Sequence, residues 1–286
     1  MRVMKSDNGM LISSILIIAK KEIKDSIRNR WFLVLSSIFF LLILQIPYII
    51  LMLLGLFSYE NVPGKTGIFL AYAISLGGLI TVIVGSLSIV SEKEQGTLSY
   101  LLSQPVRKIE IIIGKFMGLL LAISLMMSIG FGIAMLPSIG EAEINSIGLE
   151  NFVYGVVTMF GATAVMLGIS LAISVVSGSK TMAISLALFI WLFFTTIYDS
   201  GFLGTMLIAA DETQAYFYFI FLNPIEISEI LMNMLLNPSL NPNLSVNFMI
   251  NYFGIDGSFE PLSLAILVWA IIPLGFSVIE FYSREY

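Results

Sequence analysis

Hydrophobic positions along this chain gather into runs that are apolar on every side rather than on one face. Six such runs are Phe32–Phe57, Gly67–Val90, Phe116–Pro137, Phe152–Val176, Thr181–Tyr198 and Leu262–Tyr282. They contain no Asp, Glu, Lys or Arg apart from Glu280 near the end of the last. About 20 apolar residues is the length at which an α-helix crosses the hydrocarbon core of a bilayer. A helix that is apolar all round is buried in protein or in lipid. The pattern therefore predicts an all-α polytopic membrane protein, with six transmembrane helices in one domain over residues 1–286. Only Ser177-Gly178-Ser179-Lys180 separates the fourth run from the fifth, which predicts a tight helical hairpin.

Between residues 11 and 30 the period changes. Leu11, Ile12, Ile15, Leu16, Ala19, Ile23 and Ile27 recur at spacings of three or four, and Lys20, Lys21, Lys24, Asp25 and Arg28 take the other face. This predicts an amphipathic helix in the cytoplasmic interface that leads into the first span. Trp31 stands where an interfacial aromatic belongs. The loop at 91–108 also stands apart, because polar residues arrive abruptly after Val90. Gly96 can end the incoming helix by taking a left-handed backbone. A short helix is expected from Thr97, with Leu98, Leu101 and Leu102 on one face. Pro105 closes it, since the residue before a proline avoids helical geometry. Ile109–Lys115 then climbs into the third span. An apolar-faced finger on the charged hinge of Glu92 and Glu94 has two physical readings: it docks into a cleft of a partner, or it rests on lipid headgroups.

Composition and charge sharpen the picture. Apolar residues make up 58% of the chain and charged ones 12%, against about 25% charged in soluble domains. A water-soluble fold would leave large apolar patches wet. The basic residues orient the spans. The N-terminus, the 91–115 loop, the turn at Lys180 and the tail together hold thirteen of the 14 Lys and Arg residues, and the remaining loops hold only Lys65. Those remaining loops are acidic, carrying Glu60, Glu141, Glu143, Glu150, Asp199, Asp211, Glu212, Glu226, Glu229, Asp256 and Glu260. Basic loops stay on the cytoplasmic side. The expectation is a multi-pass protein of the cell membrane with both termini inside. The first apolar run begins near Trp31, behind a charged segment without a small-residue cleavage site, so no secretory signal is expected.

The chain resembles the ABC type-2 permeases, and within them the NosY-type subunits. The resemblance lies in Glu94-x-Gly96-Thr97-Leu98, then Leu101-Leu102-Ser103-x-Pro105, then the basic pair Arg107-Lys108, and then Gly114-Lys115. The Lys20–Arg28 segment is similar to the family's N-terminal elbow helix. It implies that the finger is a coupling helix seated in a separate ATPase subunit, with Glu92, Glu94, Gly96, Thr97, Leu98, Leu101, Leu102, Pro105, Arg107 and Lys108 as its interface. It implies no cofactor on this chain, with ATP and Mg used by that partner. It also implies a second permease copy, so that two permease chains work with two ATPase chains in an exporter.

The segment 199–261 has no Lys or Arg. Asn223 before Pro224 reads as a helix start, with Glu226 and Glu229 near its positive end. Ile227, Ile230, Leu231, Met234 and Leu235 form the expected apolar face of a helix that lies on or dips into the outer surface. Asn237-Pro238 and Asn241-Pro242 end it. Tyr216-Phe217-Tyr218-Phe219 reads as a lipid-edge anchor, or as a platform for an extracytoplasmic partner or a gate over the translocation path. Other chemistries find little footing. The chain has no Cys and no His, which removes the common zinc, haem and nucleophile–histidine sets. Met126, Met127, Met232 and Met234 read as flexible packing rather than soft metal ligands. Gly178-Ser179-Lys180-Thr181 lacks the glycines of a phosphate-binding loop. Tyr198-Asp199 lacks the second aspartate of an intramembrane protease. A secondary transporter or channel would need repeats or intramembrane polar sites. Nothing points to nucleic acid.

Overall fold

The computed structural model describes residues 3–53, 62–139, 146–198, 219–236 and 244–284. They form helices α1 (Val3–Arg28), α2 (Arg30–Leu53), α3 (Val62–Glu94), α4 (Thr97–Leu102), α5 (Lys108–Ile139), α6 (Ser146–Val176) and α7 (Lys180–Leu192). A π-helical turn, Phe193–Ile197, continues α7, and α8 (Pro224–Leu236) and α9 (Leu244–Ser283) follow. There is no strand among the described residues. Five segments are long and apolar enough to cross a membrane: Ala71–Glu94, Lys108–Ile133, Phe152–Val176, Lys180–Ile197 and Ser245–Ser283. The bent pair Ser14–Arg28 and Arg30–Gln45, which meet at 68°, raises the number to six if the pair is counted as one span. Asn29 makes that bend a fresh helix start, its Oδ1 accepting from Trp31 N at 2.9 Å.

At the centre, α3, α5 and α6 bury most of their surface, while α7 and α9 turn most of theirs outward. The outward side chains, Phe189, Leu264, Leu267, Ile271 and Ile279 among them, are the apolar ones that lipid accepts. Small residues let the central helices approach closely. A Cβ on Gly85 of α3 would lie 1.9 Å from Ser170 Oγ of α6, the kind of contact that replaces hydrophobic driving force inside a bilayer. Nearby, Ser174 Oγ of α6 accepts from the backbone N–H groups of Ile89 and Val90 at 2.9 and 3.0 Å.

The helix α9 contains the expected span Leu262–Tyr282, extends well before it, and breaks at Gly254 (φ 74, ψ 171). Asp256 and Glu260 follow that break in the first turns of the long segment, where acidic side chains suit a helix N-terminus. A charge-free criterion cut the span short there. The helix α8, expected to lie on or dip into the outer surface, packs against α3, α6 and α9. Ile225, Ile227, Ile230, Met232 and Met234 are all buried, on more than one side of the helix. Its start is as expected, with Asn223 Oδ1 accepting from Ile225 N at 3.1 Å and Glu226 N at 3.4 Å. Its described part ends at Leu236, and Asn237-Pro238 lies outside the described residues. Tyr216, Phe217, Tyr218, Asp199 and Asn241-Pro242 lie outside the described residues.

The π-helical turn carries α7 to the far end of the bundle, where side chains pin the run into α8. Asn223 Nδ2 donates to Phe194 O at 3.0 Å. Tyr198 donates to Phe219 O, and Trp269 Nε1 to Phe221 O at 3.0 Å. Phe194 meets Trp269 edge to face, 5.9 Å between ring centres. Met126 and Met127 are buried packing residues, taking hydroxyl contacts from Ser36 (2.8 Å) and Thr163 (3.3 Å).

Candidate functional site

The α3–α4–α5 corner is built on one backbone requirement. Gly96 has φ 71 and sits at the start of α4. A Cβ there would meet nothing within 4 Å, so glycine serves the left-handed backbone and not a tight space. Gly96 N donates to Lys93 O at 3.2 Å, and Thr97 Oγ1 to Glu92 O at 3.3 Å, which closes the end of α3. The short α4 then runs to Ser103, whose N–H donates back to Ser99 O at 3.1 Å.

The leucine face of α4 is turned the other way from the expected docking surface. Leu98 is only 2% exposed and belongs to the protein's own core, with Leu101 and Leu102 packed against that core. A helix of six residues has a single apolar stripe, and the ends of the neighbouring spans take it. The exposed tip is formed by Ser99, Tyr100, Ser103, Gln104, Pro105 and Arg107, with Tyr100 73% exposed. Of the expected interface, Glu94, Gly96, Thr97, Pro105 and Arg107 are on the outside, and Arg107 lies 4.0 Å from Glu110.

Around this corner, charged side chains tie the helix ends together. Glu94 Oε1 accepts from Lys180 N at 2.7 Å, and its Oε2 lies 3.2 Å from Lys180 Nζ. The carboxylate thus sits on the first residue of α7, which Ser179 caps by accepting from Met182 N at 3.3 Å. Lys180 works as a turn cation. Lys93 Nζ donates to Ser177 O at 3.3 Å. Lys108 Nζ reaches the carbonyls of Tyr282 and Arg284 at 3.3 and 2.9 Å. Arg284 bonds Glu280 at 2.7 Å and Val176 O at 3.3 Å. Cations at carbonyl-rich helix ends satisfy orphan acceptors and oppose the helix dipole.

Deeper in, Lys115 is 1% exposed. Its ammonium donates to Glu22 Oε1 (2.7 Å), Glu92 Oε1 (2.9 Å) and Ser88 O (3.2 Å), so all three of its protons are used. Lys21 lies 3.9 Å from Glu92, whose buried Oε2 has no hydrogen-bond partner. This cluster locks α1 onto α5, where backbone contact is close. A Cβ on Gly114 would be 2.7 Å from Ile18, and one on Gly118 would be 2.6 Å from Ala19 O.

Sequence reasoning placed Lys115 at a loop edge and gave Glu22 no role. A usable signal was present: Glu22 falls one turn after Ile18 and Ala19, on the face that meets α5, and Lys115 follows three isoleucines. The elbow cations Lys20, Lys24 and Arg28 stay exposed and outside this cluster.

A charged corner, an exposed α4 tip and a bundle of apolar helices describe a membrane protein. Residues 16–286 match the ABC-2 family transporter protein family. The chain belongs to the ABC-2 family. Among its relatives in that family are two proteins named probable ABC transporter permease protein NosY. The one from Pseudomonas aeruginosa is 29% identical over 222 residues, covering 75% of this chain and 79% of that protein. The one from Stutzerimonas stutzeri is 30% identical over 221 residues, with the same coverage of each chain. As an ABC-2 permease, the chain is a multi-pass membrane subunit of an ABC transporter. Among the described residues, no group of three or more His, Cys, Asp or Glu is placed to hold a metal ion.

Proposed function

We propose that this ABC-2 chain couples ATP hydrolysis by a separate nucleotide-binding subunit to export of a substrate across the plasma membrane. It works as one of two permease copies, with both termini in the cytoplasm. ATP and Mg belong to the partner, and the exposed tip of α4 is the part that meets it. An extracytoplasmic protein would meet the opposite end. The observation that carries the reading is the wiring of the finger. Its hinge at Gly96 adjoins Glu92 and Glu94, which reach α1, α5 and α7 through Lys115, Glu22 and Lys180.

A push on the finger then has a route across the membrane. It enters α3 at the hinge and passes to α7 through the Glu94–Lys180 pair. The span Lys180–Ile197 has 18 residues, which at about 1.5 Å each reach about 27 Å. At its far end, Asn223 and Tyr198 hand the motion to α8. The basic residues gather at the finger end of the bundle, which supports placing that end in the cytoplasm.

The chain has no Cys, so a single engineered one reports alone. With the complex reconstituted, a Leu222→Cys label at the far end should change reactivity when ATP is added. Adding Glu94→Gln or Gly96→Ala should abolish that change while ATP hydrolysis continues. Both variants retaining the full ATP-driven change would overturn the role of the hinge.

A further inference from the structure

The elbow helix α1 has three sides, and protein covers only one. Ile18, Ala19, Glu22 and Ser26 are buried, and α1 packs against α5 and α2. At 3.6 residues per turn, the sector next to that contact holds Leu16, Ile23 and Ile27, of which Leu16 is 62% and Ile27 58% exposed. The sector beyond holds Lys20, Lys24 and Arg28, all exposed, with Ile17 among them. Lys21 lies at its edge and leans to Glu92. Among the described residues, none of Lys20, Lys24 or Arg28 takes part in the ion pairs that join the bundle's helices. The helix turns 68° away from the one that follows it, so when α2 spans the bilayer, α1 lies close to its plane. Trp31, 74% exposed, marks the turn.

We infer that α1 is a binding site for anionic phospholipid headgroups. Its apolar sector faces acyl chains, and Lys20, Lys24 and Arg28 collect the phosphates beside it. Three cations spaced three or four residues apart form a row about two turns long, matched to a row of headgroups and not to one small anion. The neighbouring acyl-facing sector selects a lipid over an acidic protein, because the same face must satisfy both hydrocarbon and charge. Each cation near an anionic surface gives roughly a fivefold gain in local partition. The row therefore gathers anionic lipid well above its bulk fraction, whatever the protein transports.

The full chain in nanodiscs tests this directly. An Ile17→Cys fluorophore is placed in phosphatidylcholine discs that carry a small fraction of brominated phosphatidylglycerol or, in parallel, brominated phosphatidylcholine. The brominated phosphatidylglycerol should quench several-fold more strongly. That excess should vanish in K20Q/K24Q/R28Q and in high salt, and inorganic phosphate at matched ionic strength should leave it intact. Equal quenching by the two lipids, or an excess that survives the triple substitution, would overturn the site. Loss of the excess to phosphate alone would assign the cations to a soluble anion and also reject it. A Leu264→Cys label on the lipid-exposed face of α9 should show no preference, which separates a local site from general enrichment in the disc.

Discussion

Lys115 is the residue on which most of the site's electrostatics turn. One ammonium holds Glu22 of α1 and Glu92 of α3 at hydrogen-bonding distance. Removing one partner of a buried ion cluster leaves the others desolvated and unpaired, which costs about 3–5 kcal/mol. Lys115→Met should therefore lower the thermal midpoint sharply, because two carboxylates are left facing each other. Adding Glu22→Gln and Glu92→Gln should recover most of the loss, since neutral side chains of similar volume no longer repel. A triple variant as unstable as the single would mean that packing, not charge, makes Lys115 necessary. Some of this scale was legible beforehand. Gly96 and Asn223 carry local signals, a hinge and a cap, and each took the expected local conformation. Lys115 and Glu22 lie far apart in the chain and become partners only when α1 lies across α5, so no local pattern announces them.

At the scale of elements, interfaces decide what periodicity leaves open. The leucine stripe of α4 was visible in the sequence, but whether it faced a partner or its own bundle depended on how α3 and α5 end. Likewise α8 was recognised as a helix from its Asn-Pro start. Its depth in the bundle was hidden because one apolar stripe does not count the residues buried on its other sides. The α1–α5 contact gives a direct prediction. Gly118→Val brings side-chain atoms against the Ala19 carbonyl, where even a Cβ would be 2.6 Å away. In detergent this should free α1, so that trypsin cleaves after Lys20 or Lys24 much faster than in the parent, while the remaining helices stay protected. Unchanged cleavage would show that α1 does not need this close approach. The α7–α8 joint gives another. Asn223→Asp keeps an oxygen to cap α8 but loses the donor to Phe194 O. Amide exchange should quicken at Thr195–Tyr198 and stay constant at Ile225 and Glu226. Equal quickening at both would mean that the substitution simply unravels the cap.

For the whole molecule, charge patterning and architecture agree on one point. The segments richest in Lys and Arg, scattered along the sequence, meet at a single end of the bundle through Lys93, Lys108, Lys115, Lys180 and Arg284. Helical class and the presence of several spans were legible because a bilayer imposes length and apolarity on each span separately. The internal wiring was not, because it is a property of contacts between spans. The account stands on the finger meeting an ATPase from the cytoplasmic side. A photo-crosslinker on Tyr100→Cys, in cells that also produce the ATPase subunit, tests that most directly, with Leu222→Cys as the control. The account predicts a crosslinked permease–ATPase species from Tyr100→Cys and none from Leu222→Cys. Labelling of Tyr100→Cys in intact cells by a membrane-impermeant thiol reagent, with no crosslinked ATPase, would contradict it.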